Sequence, residues 1–492
     1  MTNVRLLAAA LLAASFARGQ AGSVDPLRYS VATPRPVNPA EGTTNPSAQA
    51  TQRQNPYLGS VPQKSTGTNL DISLNNAVER GLNYNLGLVD AGHTSADVRA
   101  ARLRALSAML PQISARGRQA YEDLSLKEIG LKFPPIPGFR GLPATTGGFG
   151  FEDARVAVDQ SIYSARLHDE YKAEKTEEQA SAFDMKDARD VVVLAVGTAY
   201  LQALASGARV EAAKARLASA RELDQLTSDR VKSETSPQID ALRAQVERQS
   251  AEQAVTNAMN RFEKDKLTLG RIIGLAVDQP FTLTDTLAYH PLTGMTSESA
   301  TNDALQSRAD LESAEASLHA AELKLKAEKA QRLPTVSFSA DYGAGGANLG
   351  NMNQVYSLQG NVSVPIYTGG RIRSDIEQAQ TEVARRQAAY DDLKGRVAYD
   401  VRVAWLDAEA SDSSVKVAEQ NRTLADRALT QSRDRYENGV TNVLEVVQAQ
   451  EAVALAADNY IDSLYSLDLA SVSLARAMGG ADTRLRGLLG GK

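Results

Sequence analysis

The sequence predicts a mainly α-helical chain with a membrane β-barrel contribution: two structural repeats, each with two strands and long coiled helices, four strands in all. Three observations predict it. Sliding the chain by 205 residues lays Ala199-Tyr200-Leu201-Gln202-Ala203-Leu204-Ala205-Ser206 on Ala404-Trp405-Leu406-Asp407-Ala408-Glu409-Ala410-Ser411 without a gap, and Asp229-Arg230 and Ala244-Gln245 on Asp434-Arg435 and Ala449-Gln450. Four segments alternate apolar and polar residues with period two. Long proline-free stretches carry a seven-residue apolar repeat.

Composition agrees with extended helices burying narrow stripes rather than one thick core: the 492 residues are 43% hydrophobic but only 5% aromatic. The formal charge is -5. Without Arg5 and Arg18 the 54 basic residues fall to 52 against 59 acidic, or -7, which makes nucleic acid a poor partner. Cysteine is absent, so no disulfide, thiolate metal site or acylated cysteine is expected.

In chain order, Arg5 precedes an apolar run from Leu6 to Ala14, followed by small residues at Ser15 and Ala17 or at Gly19 and Ala21, so 1–21 reads as a secretory signal. The run is well short of the ~20 residues of a membrane-spanning helix. Residues 22–69 hold seven prolines, Pro26 to Pro62, among polar residues and read as a flexible leader. Repeat 1 covers 70–270. A helical pattern from Leu70 to Met109, with Ser73 or Asn75 as cap, stops at Pro111.

Strands are expected near 112–121 and 151–163. Ile113, Ala115, Gly117 and Tyr121 share one face and Ser114, Arg116 and Arg118 the other; Ala154, Val156, Val158 and Ile162 oppose Asp153, Arg155, Ala157 and Asp159. Residues 122–151, with Pro134, Pro135 and Pro137, read as a long exposed loop. A connector at 271–302, with Pro280 and Pro291, joins repeat 2 at 303–479, and 480–492 is a C-terminal tail. In repeat 2 strands are expected near 334–343 and 356–367, with Val336, Phe338, Ala340 and Tyr342 on one face and Leu358, Gly360, Val362, Val364 and Ile366 on one face of the next.

Helices follow each strand pair. Ile376, Val383, Tyr390, Val397 and Ala404 recur every seven residues, with Ala379 and Leu393 at the intervening seam position. Chain reversals are expected at Ser206-Gly207 and Ser411–Ser414, giving coiled tips near 205–210 and 410–415, with later helix interruptions at Pro237 and Asn438-Gly439.

A wall with lipid outside and water inside suits these strands. Four strands cannot close around a lumen, and unpaired edges in hydrocarbon cost several kcal/mol per group. Two chains give eight strands, a barrel filled by its own side chains; three give twelve, wide enough to conduct.

Two further signatures carry a family resemblance: Leu110-Pro111-Gln112-Ile113-Ser114, echoed by Leu333-Pro334-Thr335-Val336-Ser337, and Val364-Pro365-Ile366-Tyr367-Thr368-Gly369-Gly370-Arg371 closing a strand. With Arg435-Tyr436-Glu437-Asn438-Gly439-Val440-Thr441-Asn442-Val443-Leu444-Glu445-Val446 and the doubled unit, the chain resembles the TolC family of outer-membrane efflux and secretion channels over Leu70 to Gly479. Copy one departs, with Ser161 for Pro365 and Ala165-Arg166 for Gly369-Gly370. The resemblance implies a homotrimer with a twelve-strand barrel in outer-membrane lipid, a helical periplasmic tunnel and an equatorial belt. It further implies a periplasmic adaptor (membrane fusion) protein gripping the tips and an inner-membrane transporter, for efflux or type I secretion.

Asp407, Glu409 and Asp412 are periplasmic gate candidates, since threefold symmetry turns an inward acid into a ring that favours cations; the alternative is solvated charge on an exposed hairpin. Arg116, Arg118, Asp153, Arg155 and Asp159 are lumen-facing candidates, or cross-strand pairs that only stabilise the wall. Ser206, Gly207, Arg209, Ser411, Ser413 and Ser414 are candidates for the adaptor-docking tips. Tyr121, Tyr163, Tyr342, Tyr356 and Tyr367 lie near strand ends, where amphipathic rings favour the headgroup layer.

No enzyme and no cofactor is expected: His93, His168, His290 and His319 lack paired metal-ligand spacing, and Gly343-Ala344-Gly345-Gly346 belongs to a strand connection rather than a phosphate loop. The rival function is a periplasmic coiled-coil adaptor or structural protein, which would need one hairpin and a membrane anchor, whereas this chain has two hairpins and amphipathic strands.

Overall fold

The computed structural model describes residues 55–125, 145–291, 295–348 and 350–488, with side chains to Arg484. The signal segment, residues 22–54 of the leader and residues 126–144 of the long loop lie outside the described residues.

In repeat 1, β1 (Leu70–Ile72) leads to α1 (Leu74–Tyr84) and α2 (Leu86–Ser107), then β2 (Gln112–Glu122), β3 (Phe149–Tyr163), α3 (Ala165–Lys232) and α4 (Gln238–Ile272). After β4 (Phe281–Leu283), repeat 2 has α5 (Ser297–Ser307), α6 (Ala309–Ala330), β5 (Thr335–Gly346), β6 (Met352–Ser363), α7 (Arg371–Glu437) and α8 (Val443–Met478), followed by α9 (Ala481–Leu488).

The residues 55–69 are not a flexible leader. Val61 N donates to Tyr84 O at 2.9 Å, Gln63 N to Gly274 O at 3.0 Å, and Gln279 Oε1 accepts from Thr66 N at 2.8 Å. This segment feeds β1, which pairs in parallel with β4 of the connector, Leu70 opposite Phe281.

One unbroken helix over 70–109 does not form, because Asn85 interrupts it. Its extended backbone ends α1, its Oδ1 accepts from Gly87 N at 2.9 Å to cap α2, and its Nδ2 donates to Tyr57 O at 2.8 Å. Ser73 caps α1. A shift of 223 carries Ser73 to Thr296, the cap of α5, and Asn85 to Arg308, the break between α5 and α6. Both break residues are buried, Asn85 at 0% and Arg308 at 5% exposure. Arg308 is paired with Asp310 at 2.6 Å and Asp400 at 3.3 Å.

The cores repeat as well. Ala77, Val192, Val196, Leu269 and Ile273 cluster in repeat 1; Ala300, Val397, Val401, Leu474 and Met478, at shifts of 223 and 205, cluster in repeat 2. Ile376, Val397 and Ala404 of the heptad seam are buried and Trp405 lies against this second core. The helix α3 contains an 18-residue window apolar enough to cross a bilayer, but half of it is buried in the fold, as befits a core helix.

β2, β3, β5 and β6 form one antiparallel sheet in that order. β6 starts at Met352 and stops at Ser363, four residues short of the expected 367. Pro365 has no N–H to continue the ladder, and Gly369 (φ 62°) and Gly370 (φ 90°) turn the chain through the left-handed region into α7. Repeat 1 has Ser161 there, so β3 continues to Tyr163 and Ser164 caps α3.

The largest departure concerns the tips. α3 runs 68 residues and α7 67, each about 100 Å at 1.5 Å per residue, with no reversal at Ser206-Gly207 or Ser411–Ser414. The serines do not turn the chain because their hydroxyls bond back within the helix: Ser206 Oγ to Gln202 O at 2.6 Å, Ser413 Oγ to Glu409 O at 3.1 Å and Ser414 Oγ to Ala410 O at 2.9 Å. Gly207 serves close packing, since a Cβ there would meet Phe262 at 3.2 Å. The reversals are at 233–237 and 438–442, where only interruptions were expected.

Candidate functional site

Two features can carry function: the sheet, whose outer strands β2 and β6 do not pair with each other, and the ends of the two helical hairpins. On the sheet, register places Arg118 opposite Asp153, Arg116 opposite Arg155 and Gln112 opposite Asp159. Arg155 bridges two strands, with Nε on Asp153 Oδ1 at 2.6 Å and Nη1 on Asp341 Oδ1 at 2.8 Å. Arg118 pairs with Glu122 and sits over the Phe151 ring at 5.7 Å. Among the described residues Arg116 and Asp159 have no ion pair. Like-charged Arg116 and Arg155 tolerate their juxtaposition because Arg155 is drawn to its two carboxylates. On the apolar parity, Ile113, Val156, Tyr163, Tyr342, Leu358 and Val362 are all exposed, so that face presents side chains to its surroundings along all four strands.

The hairpins are antiparallel. Arg216 Nη2 meets Glu247 Oε1 at 2.8 Å and Gln202 Nε2 meets Asp265 Oδ2 at 3.1 Å across α3/α4; Val415 packs with Leu464 and Leu467 across α7/α8. At the reversals the two repeats use one device. Thr235 N donates to Arg230 O at 2.9 Å and Glu234 N to Val231 O at 3.0 Å; at a shift of 205, Val440 N donates to Arg435 O at 2.8 Å and Gly439 N to Tyr436 O at 3.0 Å. This is the paired bonding that closes a helix over a left-handed residue. Repeat 2 supplies Gly439 (φ 72°), but repeat 1 holds Glu234 there at φ 55°.

The tips are joined to each other. Arg230 donates from Nη1 to Tyr436 O at 2.9 Å and from Nη2 to Glu437 O at 2.7 Å, capping the end of α7, and its guanidinium lies 4.6 Å from the Tyr436 ring centroid. Beneath it Leu223, Ala244, Tyr436, Val443 and Val446 form a buried cluster, and Gln450 Nε2 reaches Ser219 Oγ at 2.8 Å. The sequence reading missed this clamp; the signal available was the Asp-Arg pair repeated at 229–230 and 434–435.

The gate and docking candidates are elsewhere. Asp407 and Glu409 are exposed near the middle of α7, about 40 Å from its end. Asp412 is tied down, accepting from Tyr289 Oη and Lys416 Nζ, both at 2.7 Å, and the Lys416 ammonium and then the Tyr289 hydroxyl hold its carboxyl below the usual range. Through Tyr289 it fastens the connector to α7. Tyr200 does the same for α3: its buried hydroxyl donates to Asp285 Oδ2 at 2.8 Å, and burial together with that carboxylate raises its pKa. Ser206, Gly207, Ser411, Ser413 and Ser414 are mid-helix, and Arg209 is paired with Asp462 of α8.

Deeper in the bundle, burial alone pushes the Asp468 carboxyl on α8 up to about 7.

Residues 300–480 match the family model described as outer membrane efflux protein. Over that stretch the chain is similar to the outer membrane efflux proteins. It is 24% identical over 428 residues to the pyoverdine export outer membrane protein OpmQ of Pseudomonas aeruginosa, covering 83% of this chain and 85% of the relative. With OpmQ of Pseudomonas putida it shares 24% identity over 311 residues, 61% of this chain and 64% of the relative's length. Among solved structures, the CmeC outer membrane channel of Campylobacter jejuni superposes with a TM-score of 0.70 at 18% identity, covering 87% of this chain and 92% of that one. The chain therefore has the TolC-like fold: one four-stranded antiparallel sheet and long paired helices.

Proposed function

We propose that this protein is the outer-membrane exit duct of a tripartite efflux or type I secretion system, passively conducting substrates from an inner-membrane transporter across periplasm and outer membrane. The observation that carries the reading is the open sheet. Its four strands expose apolar side chains on one parity and leave the outer edges of β2 and β6 without partners among the described residues. In hydrocarbon such edges must pair, and identical copies are the simplest source. A homotrimer with a twelve-strand barrel satisfies every edge and leaves a water-filled bore.

In this reading Arg116, Arg118, Asp153, Arg155 and Asp159 face the lumen, mixed in sign and suited to varied cargo. Asp407 and Glu409 serve as acids along the middle of the tunnel, and Asp412 is structural. The adaptor grips the reversals at 233–237 and 438–442, with Arg230 holding the two together. Opening is a change between discrete packings of the hairpins, driven by the partners.

The test is the native mass of the detergent-solubilised protein with single-channel conductance in planar bilayers. A trimer with stable conductance is expected; a non-conducting monomer that salt washes from outer membranes refutes the reading in favour of a periplasmic adaptor.

A further inference from the structure

Where β3 gives way to α3, a cavity of about 800 Å3 opens between the strand end, the first turns of α3 and the last turn of α6. That is within the range of about 300–1,000 Å3 typical of small-molecule sites. Its lining is two-sided. Ile162, Tyr163 and Leu333 supply apolar surface and are 59%, 53% and 45% exposed. Lys172, Lys326 and Lys329 supply charge, against Asp169 as the single acid of the lining. Asp169 is buried and holds Lys326 Nζ at 3.2 Å, which leaves Lys172 and Lys329 in excess. The first turn of α3 contains no acidic residue to offset them.

The position narrows the ligand. Across the register shift at Ser161/Tyr163, Tyr163 pairs with Val336 on the apolar parity of the sheet, so the cavity opens on that side and at the helical end of the strands. A phosphate with two acyl chains matches both halves of the lining: the anion meets Lys172 and Lys329, and the chains run up the strand over Tyr163. The nearby groove at the start of α7 lacks this bias, because Glu170, Glu174, Glu328, Asp375 and Glu382 there outnumber Arg166, Lys324, Arg371 and Arg385.

We propose that this cavity binds the headgroup of an anionic phospholipid from the leaflet at the helical end of the barrel, fixing the depth of the β3–α3 junction. The proposal rests on the outer-membrane reading above.

Purified full-length protein in detergent is titrated with phosphatidylglycerol, phosphatidylcholine or millimolar inorganic phosphate, and bound lipid is counted by native mass spectrometry. Wild type is expected to retain phosphatidylglycerol over phosphatidylcholine, with inorganic phosphate failing to displace it. The Lys172→Gln/Lys329→Gln variant is expected to bind about 25-fold more weakly, about fivefold per lysine, while Lys324→Gln in the mixed-charge groove leaves retention unchanged. Should the double variant fail to fold, each single variant is expected to lose about fivefold. Equal retention by wild type and the variants at Lys172 and Lys329 overturns the proposal, as does displacement of the lipid by inorganic phosphate. Failure of the wider reading is distinct: the wild type itself then leaves the outer-membrane fraction.

Discussion

Arg230 caps the helix that ends at Tyr436, donating to the Tyr436 carbonyl at 2.9 Å and stacking over its ring at 4.6 Å. The two residues belong to different repeats and different hairpins, so one side chain couples the ends of both coiled pairs. A cation at a helix C-terminus also complements the peptide dipoles.

Arg230→Ala removes two charge-assisted bonds and a stacking contact. The expected loss is about 2 kcal/mol, read as a lowered melting temperature in detergent. Amide hydrogen exchange should accelerate in the last turn of α7 and stay unchanged in the sheet; a uniform change across the molecule contradicts the local coupling.

Glu234 occupies the left-handed position (φ 55°) that Gly439 fills in the other repeat. Glu234→Gly is expected to raise stability by about 1 kcal/mol and Gly439→Ala to lower it by about 1 kcal/mol. Matched thermal melts of the two variants check the opposite signs.

Asp468 makes stability depend on pH. Its folded pKa of about 7 lies above the ordinary carboxylate value of 3.8, so between those values the folded state binds more protons than the unfolded state. Its contribution is therefore most favourable below about pH 4 and is lost as pH rises to 7. Asp468→Asn should melt higher than wild type at pH 8 by an amount worth a few kcal/mol, with the gap closing by pH 4. A gap independent of pH counts against the buried carboxyl.

Arg308 is 5% exposed and paired with Asp310 and Asp400. Arg308→Ala leaves both carboxylates facing an uncompensated site, and about 3–5 kcal/mol of destabilisation is expected. Equilibrium unfolding measures it, and Asp400→Asn in the same background should recover part of the loss.

The strand parities, the doubled unit and the heptad seam were legible because each is a periodicity repeated over many residues. The break between α1 and α2 was not. Asn85 and Arg308 differ chemically, and what they share is burial at equivalent places, where each satisfies backbone groups of separate segments. Asp412 resembled any solvated acid until Tyr289, 123 residues away, closed on it. The Arg155 bridge to Asp341 joins residues of the two repeats that lie 186 positions apart in the chain and depends on the order of strands in the sheet.

The amino-acid sequence alone determined that there are two copies of strand pair and long helices, which strand face is apolar, and hence that the sheet is incomplete in one chain. These follow from backbone geometry, since a period of two or of seven assigns side chains to faces whatever packs against them. Tertiary structure decided where the helices turn and which polar groups are tied down. A serine hydroxyl can cap a helix or bond back within it, and a carboxylate can be solvated or clamped; the neighbours brought in by packing choose between states that differ locally by only about 1 kcal/mol.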